Sequence, residues 1–445
     1  MLTNDFLGDN VARLGFGAMR LPVIDGDASN IDQAALDTMV DEAITAGVNY
    51  FDTAYPYHGG MSEIALGRSL ARYPRDRYFL ATKYPGHQIT DTYDPAAIFE
   101  EQLTKCGIEY FDFYLLHNIY EASIEVYLDE QWGIAEYFVE QKKNGRIRHL
   151  GFSCHGRPET LKRFLDYGAR KYAELEQRDP EAAALFAGSN IMEFCQIQLN
   201  YLDWTLQDAA AKTALLETMN IPIVVMEPLR GGKLANLNEA QMQQLNAGAL
   251  DAVANAQAAG NPDATAATTT SARSAVEWSF RWLLGIPSVK TILSGMSDLA
   301  QVEENCRIFQ ESAPLAEAEE GVLMEVAESL KGGVPCTSCR YCVDSCPQEI
   351  DIPMMMNAYN DLQFDTSFTV SMQMDAVPEG QRAQDCIQCE SCVQMCPQRI
   401  DIPTVLEELA ATLDKMPKWA DLCRQREEAA AKLAAESKLA AAAQE

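Results

Sequence analysis

Eight of the thirteen cysteines stand in two copies of one phrase: Cys336-x2-Cys339-x2-Cys342-x3-Cys346-Pro347, then Cys386-x2-Cys389-x2-Cys392-x3-Cys396-Pro397. Thiolates at this spacing predict two [4Fe-4S] clusters. Three of them wrap one face of a cubane, while the fourth, followed by proline, points away and ligates the partner cluster. Cys336, Cys339, Cys342 and Cys396 are therefore expected on one cluster, and Cys386, Cys389, Cys392 and Cys346 on the other. Structural zinc closes a tetrahedron with two cysteine pairs, and disulfides need an oxidising compartment, so neither calls for this repeated group of four. Cys106, Cys195, Cys306 and Cys423 read as ordinary buried or surface thiols.

A second set of residues stands just after apolar runs. Asp52 closes NYFDTA, Tyr57 follows it, Lys83 ends YFLATK and His117 ends FDFYLLH. Taken singly, each has a plain structural role: a turn cap, surface packing, a strand-end charge, a hydrogen-bonded core histidine. Lys83 is the exception, because an ammonium closing a buried strand is costly unless a carboxylate meets it.

The elements that must position these residues follow from the pattern before residue 310. Eight short apolar runs alternate with segments of helical period: 13–19, 49–54, 78–83, 111–117, 149–153, 195–200, 221–227 and 289–295. Eight strand-helix units in residues 1–310 predict a closed (β/α)8 TIM barrel, an α/β fold whose chemistry sits at the C-terminal strand ends. Asp94-Pro95 should start a helix ending at Cys106-Gly107, and a helix over 33–46 should be closed by Gly47. Residues 171–189 and 247–271 have few large apolar side chains and are expected as surface insertions. Residues 311–333 form a helical linker through Leu315–Lys331 to Gly332-Gly333, and 334–404 form the cysteine domain. The gap from Cys346 to Cys386 is too long for the compact bacterial repeat, and Met354, Met355, Met356, Tyr359 and Leu362 run near helical period. A small, mainly helical ferredoxin-like domain is expected, with an internal repeat in Pro347-Gln-x-Ile-Asp-Ile-Pro353 and Pro397-Gln-x-Ile-Asp-Ile-Pro403. Residues 405–445 are expected as a helical or frayed tail without chemistry.

Phe51-Asp-Thr-Ala-Tyr-Pro-Tyr57, Gly60-Met-Ser-Glu63, Leu66-Gly67, Ala81-Thr-Lys83 and Tyr114-Leu-Leu-His117 together resemble, in order and spacing, the signature of the aldo-keto reductases. The resemblance covers about residues 10–310 and implies hydride transfer between NAD(P)H and a small carbonyl or alcohol. It implies that Tyr57 protonates the carbonyl oxygen, with Asp52 holding Lys83 and His117 orienting the substrate. A phenol titrates near 10, and a neighbouring Lys83 charge is expected to bring Tyr57 closer to working pH. For the cofactor, the resemblance implies Ser153 and Gln198 at the carboxamide, Leu229, Gly231 and Gly232 at the phosphate-approaching turn, and Gly295, Gln301 and Asn305 at the adenosine end. Gly17 lies in a Gly-x-Gly segment without a third glycine. Cys154 stands where the family has Asn, near the expected pocket, and Met226 begins the segment that is Tyr-Ser-Pro-Leu in the family. Gln301 stands where an arginine would grip a 2′-phosphate.

A formal charge of −30 repels phosphate backbones and anionic headgroups, so neither nucleic acid nor membrane is an expected partner. Reduced thiolates and the lack of a long apolar run make a cytoplasmic location the expectation. Hydride carries two electrons and each cubane takes one, which leaves three readings open. The barrel could be a nicotinamide-dependent reductase with structural or separately used clusters. It could instead hold a flavin and exchange electrons with a ferredoxin- or flavodoxin-like partner. A non-catalytic iron-sulfur carrier is the third, against which the four strand-end residues argue.

Overall fold

A computed structural model describes residues 1–425 and 428, apart from 89, 91, 259–272, 337, 338, 344 and 365–367. The chain begins with a hairpin, β1 (Thr3–Phe6) and β2 (Asp9–Ala12). Eight parallel strands then close into a barrel: β3 (Leu14–Gly17), β4 (Tyr50–Asp52), β5 (Phe79–Tyr84), β6 (Phe111–Ile119), β7 (Ile147–Cys154), β8 (Phe194–Gln198), β9 (Ile223–Met226) and β10 (Val289–Gly295). Each neighbour in this order pairs with the next, and β10 returns to β3. All eight apolar runs of the sequence are strands here, because a strand covered on both faces must be apolar throughout.

The barrel interior holds Tyr50, Ala81, Phe113, Leu115, Phe194, Val224 and Leu293. Gly151 makes room among them, since a Cβ there would lie 2.5 Å from the Phe194 ring. The hairpin, which no expectation included, plugs the N-terminal mouth. Its Phe6 stacks on Phe113 at 4.8 Å and meets Phe194 edge-on at 5.6 Å. Only the opposite mouth, at the C-terminal strand ends, is left for chemistry.

The outer helices start where short acceptors permit. Asp94 accepts from the Ala97 amide to cap the helix Pro95–Cys106, which ends in Gly107 at φ 66°. Two expectations of surface insertions are corrected. Residues 171–178 complete one long helix, Pro158–Arg178, and Leu175, Ala182, Ala183 and Phe186 are buried beyond its middle. Residues 247–258 belong to the helix Glu239–Ala258, whose Gly248 approaches Val322 so closely that a Cβ would sit 2.6 Å away. A helix needs only one apolar stripe, so alanine-rich composition concealed both. Residues 259–271 of that second stretch lie outside the described residues. The helix Glu317–Leu330 packs Leu323, Val326 and Ala327 into the barrel's outer core.

Beyond it lies a small, mainly helical region with the helices Ile352–Phe364, Phe368–Asp375, Ser391–Met395 and Ile402–Leu413. Its own core gathers Ile350, Ile352, Met355, Met356, Ile400, Ile402 and Leu406. The Ile-Asp-Ile-Pro repeat explains two of the helix starts. Asp351 and Asp401 accept from the Met354 and Thr404 amides at 3.4 Å each, and proline stands in each first turn, where its missing N–H costs nothing.

Candidate functional site

At the open mouth, β4 ends in Asp52 and β5 carries Lys83 beside it. The Lys83 ammonium is 1% exposed and donates to Asp52 Oδ1 at 2.5 Å, to the Thr53 carbonyl at 2.7 Å and to the Tyr57 hydroxyl at 3.5 Å. Burial is the largest influence and works against the lysine charge, but Asp52 and Tyr57 together more than offset it and hold the Lys83 pKa above its ordinary value. Burial also pushes the Tyr57 phenol above its ordinary value, and the Lys83 charge cancels only part of that rise. The expectation that Lys83 draws Tyr57 toward neutral pH is therefore corrected: desolvation is the larger effect. Around pH 7 Tyr57 is therefore a neutral phenol.

The buried His117 ring lies edge-on to Tyr57, with centroids 5.9 Å apart. Its carbonyl accepts from the Tyr127 hydroxyl at 2.7 Å, and the next residue, Asn118, takes φ 62° and donates its amide to Ser153 Oγ at 2.8 Å. β4, β5, β6 and the Tyr57 turn thus bring Asp52, Tyr57, Lys83 and His117 to one place.

The cofactor-side residues divide into two groups. Gly17 and Gly295 pair across β3 and β10, and Gly231 and Gly232 take φ 66° and 94° in the turn after Leu229. Arg20 lies over this turn. A Cβ at Gly231 would sit 3.1 Å from its guanidinium, and one at Gly295 would sit 3.3 Å from its stem. The Gly232 amide donates to the Leu229 carbonyl at 2.9 Å and the Gly231 amide to the Glu227 carboxylate, which also pairs with Arg20 at 3.7 Å, so what the turn offers a dinucleotide phosphate is the close approach its glycines allow and the half-exposed Arg20 guanidinium. Nearby, Asn305 donates to Ser294 Oγ at 3.0 Å, whereas the Gln301 amide turns back onto Asp298 at 2.8 Å and the Ser297 amide at 2.9 Å.

At the other end, Ser153 is buried beside Asn118, and Gln198 is already engaged. Its amide donates to Asp203 at 2.8 Å and its oxygen accepts from Thr369 at 3.4 Å. Cys154 packs into the hydrophobic layer between barrel and helices, where burial pushes its thiol up to about 12. It is a core residue rather than a pocket residue, as are the buried Cys106, Cys195 and Cys306.

In the helical region, Cys336, Cys339, Cys342 and Cys396 line one hollow with Ile352 and Met356. Cys346, Cys386, Cys389 and Cys392 line a second with Ile350 and Leu406. These are the same two sets of four as in the crosswise pairing. Among the described residues, no three His, Cys, Asp or Glu side chains converge on a single-ion site. A hollow ringed by four separated thiols fits a cubane, which spreads its ligands, better than one tetrahedral zinc.

The helical region also covers the barrel mouth. Asp361 accepts from Gln207 at 2.5 Å and pairs with the buried Arg230, which donates to Asp203 at 2.9 Å and lies over the Phe364 ring. Met372 accepts from the Asn118 amide group at 3.7 Å. Trp419 stacks against His87 at 6.2 Å, and His87 meets His117 edge-on at 4.5 Å. The tail to which no chemistry was assigned therefore returns to the barrel. Its residues 426, 427 and 429–445 lie outside the described residues. Arg20, His87, Arg230, Asp361 and Trp419 were missed. Arg20 alone carried a signal, standing just after Gly17 at the end of the first strand.

Comparison with known proteins places these features. Residues 13–320 match the model of the aldo/keto reductase family, and residues 335–400 match a 4Fe-4S dicluster domain. L-galactose dehydrogenase of Arabidopsis thaliana is 25% identical over 334 residues, covering 73% of this chain and 92% of that protein. An NADH-specific methylglyoxal reductase of Escherichia coli is 27% identical over 178 residues, covering 36% of this chain and 52% of that protein. Among solved structures, the holo form of an aldo-keto reductase from Bacillus halodurans superposes with a TM-score of 0.52 at 22% identity. It covers 73% of this chain and 96% of its own. Among the described residues, no helix is long and apolar enough to cross a membrane.

Proposed function

Because this chain belongs to the aldo/keto reductase family, we propose that its barrel interconverts a carbonyl and an alcohol on a small molecule, with Tyr57 exchanging the proton at oxygen. The observation that carries this reading is the buried Lys83 ammonium, which reaches both Asp52 and the Tyr57 hydroxyl. In the reductive direction Tyr57 donates its proton to the forming alkoxide, and Lys83 stabilises the phenolate left behind. Asp52 helps to keep Lys83 charged, so its ammonium is in place to stabilise the phenolate as it forms. His117 stands beside Tyr57, where its ring orients the substrate oxygen toward the phenol.

A nicotinamide cofactor, when bound, supplies or accepts the hydride. Gly231, Gly232, Gly17, Gly295 and Arg20 would hold its phosphates, Asn305 and Gln301 its adenosine end, and Ser153 and Gln198 its carboxamide. A flavin is the second reading, motivated by Met226, by Cys154 in the family's Asn position and by the engaged Gln198 amide. In either case the eight phrase cysteines would hold two [4Fe-4S] clusters, structural or in exchange with a ferredoxin- or flavodoxin-like carrier, in a reducing cytoplasm.

The test is anaerobic purification followed by aldehyde reduction with NADH and NADPH in separate assays. Turnover should depend on one of them, and Tyr57→Phe should lower kcat about 100-fold or more with iron-sulfur absorbance unchanged. Full activity in Tyr57→Phe would remove the proposal. A yellow chromophore released on denaturation would select the flavin.

A further inference from the structure

The family match ends at residue 320 and the dicluster match at residue 400, so neither assigns anything to Trp419. Yet this indole is only 5% exposed, packed with Tyr120, Met372 and Cys423 at the barrel mouth. Its backbone is tied down as well. The Trp419 amide donates to Asp375 Oδ2 at 2.7 Å, and Ser371 Oγ donates to the Pro417 carbonyl at 3.0 Å. The helix Phe368–Asp375 that anchors it reaches the barrel through Thr369 on Gln198 and Met372 on Asn118. From this anchored position Trp419 lies nearly parallel to His87, at 28°, and His87 abuts His117. A chain of three rings therefore runs from the tail to the side chain that faces the substrate oxygen.

We propose that Trp419 is a positioning and specificity-determining residue: it forms the outer wall of the carbonyl pocket and holds His87 against His117. The inference rests on the carbonyl-reductase reading and deepens it. An aromatic wall of this kind admits a compact substituent beside the carbonyl and turns away a bulky one. Because Trp419 touches His87 rather than the reacting atoms, its loss should act on substrate fit more than on the proton transfer itself.

Two independent measurements test this on the full cluster-loaded chain, using Trp419→Ala and the more conservative Trp419→Phe. In the first, kcat/KM is compared for propanal and for a branched aryl aldehyde. Trp419→Ala should shift their ratio about tenfold or more toward the bulky aldehyde, mainly through KM, and Trp419→Phe should restore most of it. In the second, diethyl pyrocarbonate labelling of His87 and His117 is mapped by mass spectrometry. Both rings should be protected in the wild type and in Trp419→Phe, and labelled several-fold faster in Trp419→Ala. Unchanged labelling and an unchanged ratio, with iron content intact, would overturn the proposal. A wild type that reduces no aldehyde would overturn the carbonyl reading alone, since labelling still decides whether Trp419 covers the two histidines. Should Trp419→Ala fail to fold, Trp419→Leu takes its place with the same shift in the ratio and the same faster labelling expected, and wild-type values of both would overturn the proposal.

Discussion

The barrel and the cysteine-bearing region are stabilised in different ways. The barrel draws its core from every strand and from the helices outside them, as in the contacts of Phe16, Phe51, Leu150, Ile197 and Trp278. The cysteine region has a short core rich in isoleucine and methionine, with Cys342 and Cys392 inside it, Cys336, Cys346, Cys386 and Cys396 at its edge, and Cys339 and Cys389 exposed. With so short a core, the cysteine region would draw stability from clusters held by its thiols, whereas the barrel has burial enough of its own. Burial pushes the Cys342 and Cys392 thiols up to about 11.

The largest effect should come from attacking that dependence. Cys392→Ser should cut iron from about eight atoms per chain to about four or fewer, because crosswise ligation makes each cluster rely on both phrases. Circular dichroism should show the helical region loosened and the barrel intact. Loss of both together would mean that the two regions fold as one unit.

Next in size is the buried pair at the mouth. Lys83→Met leaves Asp52 desolvated and uncompensated, which should cost about 3–5 kcal/mol of barrel stability, read by denaturant unfolding. A smaller change would indicate that water or a proton takes the lysine's place.

The smallest effect concerns pH. The Lys83 pKa is held above its ordinary value, so the stability it brings is complete below about 10 and is lost only as pH rises through the folded value. Tyr57, raised by burial, stays protonated over the same range. Rates of carbonyl reduction should therefore carry no Tyr57 titration between about pH 7 and 9, with decline only near 10 and above. A tyrosine-dependent fall near neutral pH would mean that Lys83 outweighs burial after all.

Much of this was legible from residue types alone. The eight strands could be read because a parallel strand covered on both faces is a continuous apolar run, which Tyr114-Leu-Leu-His117 still shows. The start of the helix Pro95–Cys106 could be read because Asp94 followed by proline leaves little other choice. Residues 171–183 and 247–258 were misread because alanine and long polar residues form helix readily, so a lack of large apolar side chains does not mark a stretch as irregular. The hairpin plug, Phe6 with Val11, was too short to stand out from the approach to the first barrel strand.

Sequence determined the chemistry of the parts: eight thiols at cluster spacing, and an aspartate, tyrosine, lysine and histidine each set near the end of an apolar run. Spacing along the chain is enough for that, because three ligands of each set lie in one short phrase and each strand-end residue is marked by the apolar run before it. Tertiary structure alone decided that Asp361 would reach Arg230, that Thr369 would engage Gln198, and that Trp419 would close on His87. Those contacts join residues more than a hundred positions apart, and no periodicity encodes them. They arise because one folded body presents an open mouth and the next arrives with the side chains to cover it.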